Sequence, residues 1–337
     1  MANLKTTYLG IDLKNPIIVG ANNMVTDVKA LKKMENAGAA AIVYKSLFEE
    51  QIQLENLEMG ESMNEYADRN AEMVSLFPNI DHAGPEEYLM NLYKAQKAVD
   101  IPIIASLNAV YHESWVEYAQ KIAETGVKGL ELNFYSFPKS FETAGKDIVD
   151  EQLEVIKAVR KAISIPVSVK LSPFYTNTLQ VIKKMDELGV SAFTLFNNLI
   201  QPDIDIEEEA TFYPYHLSSP TEQKLSLRYA GLLYGEINAA ICSNTGIYQG
   251  SDVIKMILAG ATAVHVVSTL YKNKIDHIQT MLQEMEAWMD KKSYSDLAAF
   301  RGKLSRKNSS DPYAYKRAQY VDILMKSEDI FKKYPMV

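Results

Sequence analysis

The 337-residue chain is 47% hydrophobic and 23% charged, a globular composition that excludes disorder as its main state. A net charge of −8 argues against a general phosphate-backbone binder, so no nucleic-acid partner is expected. A single cysteine, Cys242, excludes a disulfide framework, a four-cysteine zinc site and an iron–sulfur cluster held by this chain alone, and it fits a reducing compartment.

Residues 1–7 (MANLKTT) carry no apolar signal-like core, and no run approaches about eighteen uninterrupted apolar residues. A cytoplasmic protein with no membrane partner is expected. Eight short apolar, β-branched runs then follow in order. They are residues 16–21 (PIIVGA), 39–45, 102–107 (PIIASL), 128–134 (KGLELNF), 166–171 (PVSVKL), 191–197 (SAFTLFN), 238–243 (NAAICS) and 262–268 (TAVHVVS). Segments of helical period separate most of them. Gly38, Gly126, Gly189 and Gly260 stand before the second, fourth, sixth and eighth runs, where glycine ends a helix. Pro16, Pro102 and Pro166 open the first, third and fifth, the strand position where proline costs least.

Eight β–α units in succession predict an α/β fold, a (β/α)₈ TIM barrel from about residue 15 to 290. The alternative is a doubly wound open sheet, but Gly20-Ala21-Asn22-Asn23-Met24 lacks the G-x-G-x-x-G spacing that such a sheet carries after its first strand. Two connections, 46–84 and 199–221, are far longer than the usual two to six residues and would leave the C-terminal face as lids. The tail, 291–337, has eleven basic and five acidic side chains. It reads as a mostly helical extension packed on an acidic barrel spanning 1–290, with a partner-binding surface as the alternative.

Polar side chains gather at the C-terminal ends of the runs: Asn22, Lys45-Ser46, Ser106, Asn108, Asn133, Ser136, Lys170, Ser172 and Asn197-Asn198. Two lysines and several amides at one barrel mouth would bind an anionic, hydrogen-bond-rich ligand such as a flavin, a phosphorylated sugar or a cyclic imide. The five histidines show no metal-ligand spacing, so no metal is expected. Cys242 reads as a small core residue, and His265 as structural or as a barrel-interior neighbour of a cofactor.

In order and spacing these motifs resemble the dihydroorotate dehydrogenases, FMN-dependent (β/α)₈ barrels, over residues 5–290. Leu13-Lys14-Asn15-Pro16-Ile17-Ile18 is similar to the family's entry into its first strand, and Lys45-Ser46, Glu131-Leu132-Asn133 and Val169-Lys170-Leu171-Ser172-Pro173 to its later motifs. The resemblance implies hydride transfer from dihydroorotate, or a related reduced cyclic amide, to FMN. It assigns Gly20, Ala21, Lys45, Ser46, Asn108, Asn133 and Lys170 to the flavin. Thr245-Gly246 and Val267-Ser268 are assigned to the flavin's phosphate, and Lys45, Asn133, Asn197 and Asn198 to the substrate. Ser136 becomes the catalytic base, with Lys45 beside it and Tyr135 as a neighbouring hydroxyl. It also implies a small-molecule substrate, a homodimer and an electron-acceptor partner. Two other functions are compatible with these residues: a phosphate-binding lyase or aldolase with Lys170 as Schiff-base lysine, and a non-catalytic flavin subunit.

The chain departs from the family at Met73, at Ser136-Phe137-Pro138, at Asn198 and at Leu217-Ser218-Ser219-Pro220-Thr221. Its 15 glycines fall short of the usual share of about 7%. Asn22, Leu76, Ser218, Ser219, Thr245 and Val267 stand where the related enzymes place glycine. Each is expected to add a Cβ where backbone approaches ligand.

Overall fold

In the computed structural model, which describes residues 2–50, 52, 85–135, 140–212, 214, 216–310, 315–316, 318–326, 328 and 332, eight parallel strands close on themselves. They are β1 (Ile17–Val19), β2 (Ala41–Val43), β3 (Ile103–Asn108), β4 (Gly129–Asn133), β5 (Val167–Leu171), β6 (Ala192–Leu195), β7 (Ala240–Ser243) and β8 (Ala263–Val266). Each pairs in parallel with the next, and β8 returns to β1 with Val264 opposite Ile17 and Val266 opposite Val19. Closure removes both sheet edges, so the open doubly wound alternative is excluded.

Helices link the strands: α1 (Val28–Asn36), α2 (Glu86–Ala98), α3 (His112–Glu124), α4 (Gly145–Ala162), α5 (Thr178–Glu187), α6 (Gln223–Leu233), α7 (Gly250–Ala259), α8 (Ser268–Asn273) and α9 (His277–Lys292). Their ends follow local chemistry. Asp27 and Asn177 cap α1 and α5 through their side chains, and Gln249 with Asp252 forms a capping box on α7. Gly260 ends α7 at φ 133°, where a Cβ would come within 2.5 Å of the Tyr234 Cβ.

The strand period of two divides the core. Outward residues such as Ile17, Val19, Ile42, Leu130, Val169, Phe193 and Val264 pack beneath the helices. A separate inner cluster joins Ile18, Ala41, Val43, Ile104, Ala192, Cys242 and Ala263 to Tyr8, Leu9 and Leu13. The last three belong to an antiparallel hairpin, Thr6–Tyr8 with Ile11–Leu13, that the eight-run pattern leaves unpredicted. The small inward residues Ala41, Ala192, Cys242 and Ala263 leave the axis open to the Tyr8 ring, whose hydroxyl lies 3.5 Å from Thr194 Oγ1. Cys242 is fully buried there, as its apolar neighbours predict.

The connection after β6 carries a second hairpin, Asp203–Asp205 with Ala210–Phe212, exposed on both faces. Beyond α9, backbone bonds tie the chain to the helices: Gly302 N to Ile257 O, Leu304 N to Leu258 O and Arg306 N to Gly231 O, each 2.9 Å. Phe300 is buried against Trp288 and Tyr294. A last helix, α10, covers Ala318–Met325. Among the described residues no helix is long and apolar enough to cross a membrane.

Candidate functional site

The inward positions at the C-terminal ends of β2 to β5 converge on one mouth. Register sets Asn133 opposite Lys170, while Leu47–Phe48 pairs with Leu107 and Asn108 and carries the β2 segment along β3. The ends are braced to one another. Ser46 Oγ lies 2.7 Å from Ser106 Oγ, and Asn133 Nδ2 donates to Ser46 Oγ at 3.5 Å. Asn108 Nδ2 donates to the Asn133 carbonyl at 2.6 Å, and Asn197 Nδ2 to the Phe134 carbonyl at 3.3 Å. Behind them the buried Glu49 carboxylate accepts from Val110 N, Tyr111 N and Ser114 Oγ, which locks the loops after β2 and β3 together.

Three groups in this mouth lack partners among the described residues. Asn133 Oδ1 is buried and unbonded, and the half-buried ammonium groups of Lys45 and Lys170 make no ion pair. Charged donors with a free acceptor suit a ligand that is anionic and also donates hydrogen bonds. Gly20 lines the adjacent wall, where a Cβ would meet Val267 Cγ2 at 3.0 Å and His265 Cβ at 3.2 Å. Ala21 follows it, half-buried.

A cradle lies at the ends of β7 and β8. Thr245 and Gly246 adopt left-handed φ values of 72° and 74°. Ser218, from the connection after β6, donates to Ser268 Oγ through its N at 3.0 Å and its Oγ at 2.8 Å, and its own Oγ accepts from Gly246 N at 3.1 Å. The Tyr248 hydroxyl donates to the Ser218 carbonyl. Three connections therefore meet at one serine. The two left-handed residues turn the chain sharply at the end of β7, with the Gly246 amide held by Ser218.

Of the five described positions where the related enzymes place glycine, only Thr245 has the left-handed backbone that glycine relieves. Asn22 is extended at φ −163°, with its side chain capping the next turn by accepting from Met24 N, and Val267 sits at φ −139°. The side chains of Asn22, Ser218 and Thr245 make hydrogen bonds within the protein. Leu76 lies outside the described residues.

Beneath the mouth is a polar layer that motif matching passed over as a site. Thr194 Oγ1 donates to Glu131 Oε2 at 2.7 Å, and Glu131 Oε1, Ser168 Oγ and both His265 ring nitrogens are buried without partners among the described residues. Burial and the Lys170 charge push His265 down to about 3, so it is neutral. Below pH 6.5 the unfolded chain then binds a proton that the folded one refuses, and stability falls as pH drops toward 3. At pH 5 this amounts to about 2 kcal/mol. Urea unfolding at pH 8 and pH 5 is expected to show His265→Leu losing about 2 kcal/mol less than the parent between the two; equal losses would show that His265 does not set the slope.

Other expected site residues are placed differently. Asn198 is exposed on the loop beyond Asn197. The Tyr135 hydroxyl accepts from Ile200 N at 3.1 Å, which ties the β4 loop to the β6 loop. Ser136, Phe137, Pro138 and Met73 lie outside the described residues. The polar layer had one signal in the sequence: Glu131, Ser168 and Thr194 occupy strand positions of the same inward parity as Asn133 and Lys170, where an apolar residue is the usual choice.

Comparison with known proteins agrees with this geometry. Catalytic subunits of dihydroorotate dehydrogenase B (NAD(+)) are similar to this chain. The one from Thermoplasma volcanium is 28% identical over 308 residues, 90% of this chain and 98% of that protein. The one from Methanocaldococcus jannaschii is 27% identical over 300 residues, 85% and 93%. The dihydroorotate dehydrogenase A (fumarate) of Lactobacillus helveticus is 26% identical over 310 residues, 88% and 97%. The family model described as dihydroorotate dehydrogenase matches residues 3–289, the whole barrel with both the mouth and the cradle, and so the chain belongs to the dihydroorotate dehydrogenase family.

Proposed function

We propose that this oxidoreductase oxidises dihydroorotate to orotate, a step of pyrimidine biosynthesis, with flavin mononucleotide as its cofactor. The observation that carries the reading is the mouth itself: two ammonium groups, Lys45 and Lys170, and Asn133 Oδ1, all without partners among the described residues, inside a barrel matched by the family model. The residues fit such a group, with the cradle of Thr245, Gly246, Val267 and Ser268 for its phosphate and Gly20 and Ala21 for close approach of its ring. When bound, the flavin supplies a hydride acceptor.

The chain's own residues do the rest. Lys170, with Lys45 and Ser46, would meet developing negative charge at the ring edge. Lys45, Asn133, Asn197 and Asn198 would hold the substrate flat, and Ser136 would take the proton from the carbon beside the hydride donor. Electrons would leave to an acceptor protein, as the relatives named catalytic subunits of a B-type enzyme suggest. A cytoplasmic homodimer belongs to the same reading. So does a division into a barrel, 1–290, and a basic extension, 291–337, supported by a family match that ends at residue 289.

Purified protein should carry an oxidised-flavin spectrum and release FMN on denaturation, and anaerobic dihydroorotate should bleach it. No FMN after reconstitution would overturn the cofactor, and FMN that dihydroorotate leaves unbleached would overturn the substrate. Gly246→Ala tests the cradle, because its Cβ would sit 2.6 Å from Gln223 N and 2.7 Å from Ser219 O at a φ of 74°. At least about 1 kcal/mol of strain is expected, so FMN affinity measured by fluorescence quenching should fall at least fivefold.

A further inference from the structure

Between Lys170 and the Tyr8 plug, one oxygen of a buried carboxylate lacks a donor, and the lysine lacks an acceptor, among the described residues. Glu131 is 1% exposed; Thr194 satisfies Oε2, and Oε1 has no partner. Register places Glu131 beside Ser168 and Asn133 beside Lys170 on adjacent strands. Glu131 and Lys170 are therefore diagonal neighbours on one inward face, with Cα atoms about 8 Å apart from the strand spacings. A lysine side chain spans that gap. The other titratable groups facing Glu131 among the described residues are neutral: burial pushes the Tyr8 phenol and the Cys242 thiol well up and His265 down to about 3. Burial also raises Glu131, and Lys170 is the cation that opposes this. Lys45, two residues beyond β2, shares the mouth above.

We propose that Glu131 is a positioning residue for Lys170, its Oε1 drawing the ammonium inward when the barrel mouth holds no negative charge and yielding it when such charge arrives. The inference rests on the flavin reading for its consequence. Transfer of a hydride, two electrons and one proton, leaves one added negative charge on the flavin, and Lys170 turns from Glu131 to meet it. Glu131 thereby restrains the reduction potential. A carboxylate that merely fills space against Thr194 would have no such effect.

Glu131→Gln keeps the shape and the acceptor for Thr194 while removing the charge. In FMN-loaded protein the midpoint potential should rise, with the reduced form favoured at least tenfold, about 30 mV for a two-electron couple. In a Lys170→Met background the same substitution should shift it far less, since the effect runs through the lysine. An unchanged potential, or a shift of full size without Lys170, overturns the proposal. A second readout needs no flavin. In flavin-free protein, acylation of Lys170 at one fixed pH, followed by mass spectrometry, should be faster in Glu131→Gln, because the carboxylate no longer draws the amine inward. Equal rates in both proteins overturn the pairing even if the cofactor reading has failed. Should Glu131→Gln not fold, Thr194→Val frees Oε2 to bind the ammonium as well. It should slow the acylation, and no change would count against the proposal.

Discussion

Lys170→Met is expected to slow reduction of the bound flavin by dihydroorotate about 10²- to 10³-fold in anaerobic stopped-flow, with a much smaller change in substrate KM. The lysine ends β5 half-buried, opposite Asn133, with no ion pair to hold it among the described residues. A cation kept in a partly dry cleft acts most strongly on charge that appears during reaction, because little water competes for it. Its loss should therefore fall on kcat. A change under threefold would show that the mouth does not use this charge. Lys170→Arg should recover only part of the rate, since a planar guanidinium cannot follow the path of an ammonium past Asn133.

Much of this was legible in the chain because parallel barrel strands are buried on both faces and leave continuous apolar runs. The runs at 16–21 and 166–171 contain β1 and β5, and Lys170, next to last in the second run, falls at the mouth opposite Asn133. The Tyr8 hairpin was not legible. Its strands are three residues each, and Thr6-Thr7-Tyr8 takes meaning only from the small residues Ala192, Cys242 and Ala263, remote in sequence, that make room for it. The hairpin after β6 was hidden for another reason. With neither face buried, no hydrophobic alternation marks it, and its acidic tip reads as an ordinary loop. At the site, motif order identified Lys45, Asn133 and Lys170 but gave no role to Thr194 or Ser218. Thr194 matters because it alone donates to Glu131 among the described residues, and Ser218 because three connections meet at its hydroxyl. Those are tertiary coincidences, and a run of polar residues such as Leu217-Ser218-Ser219-Pro220 does not announce them.

Ser136→Ala is the second large effect: flavin reduction by dihydroorotate is expected to fall about 10²- to 10⁴-fold, the usual contribution of a positioned proton acceptor. FMN content should be unchanged, because the residue is assigned to the substrate side. A serine hydroxyl is a weak base, so its proton must pass onward as it works. The strand end that leads to it is held at Tyr135, whose hydroxyl accepts from Ile200 N, and at Asn133, whose carbonyl accepts from the Asn108 amide. Ser136→Cys separates base chemistry from loop structure. A thiol loses its proton near pH 8.5 when unperturbed, so the cysteine variant should recover activity with a pH profile displaced to lower values. Equal loss in alanine and cysteine variants, with no displacement, would mean that Ser136 shapes its loop and that the proton leaves by another group. Tyr135→Phe then distinguishes the remaining routes. It removes the Ile200 contact together with the only other hydroxyl proposed for that path, so a loss as large as that of Ser136→Ala would move the assignment to the tyrosine.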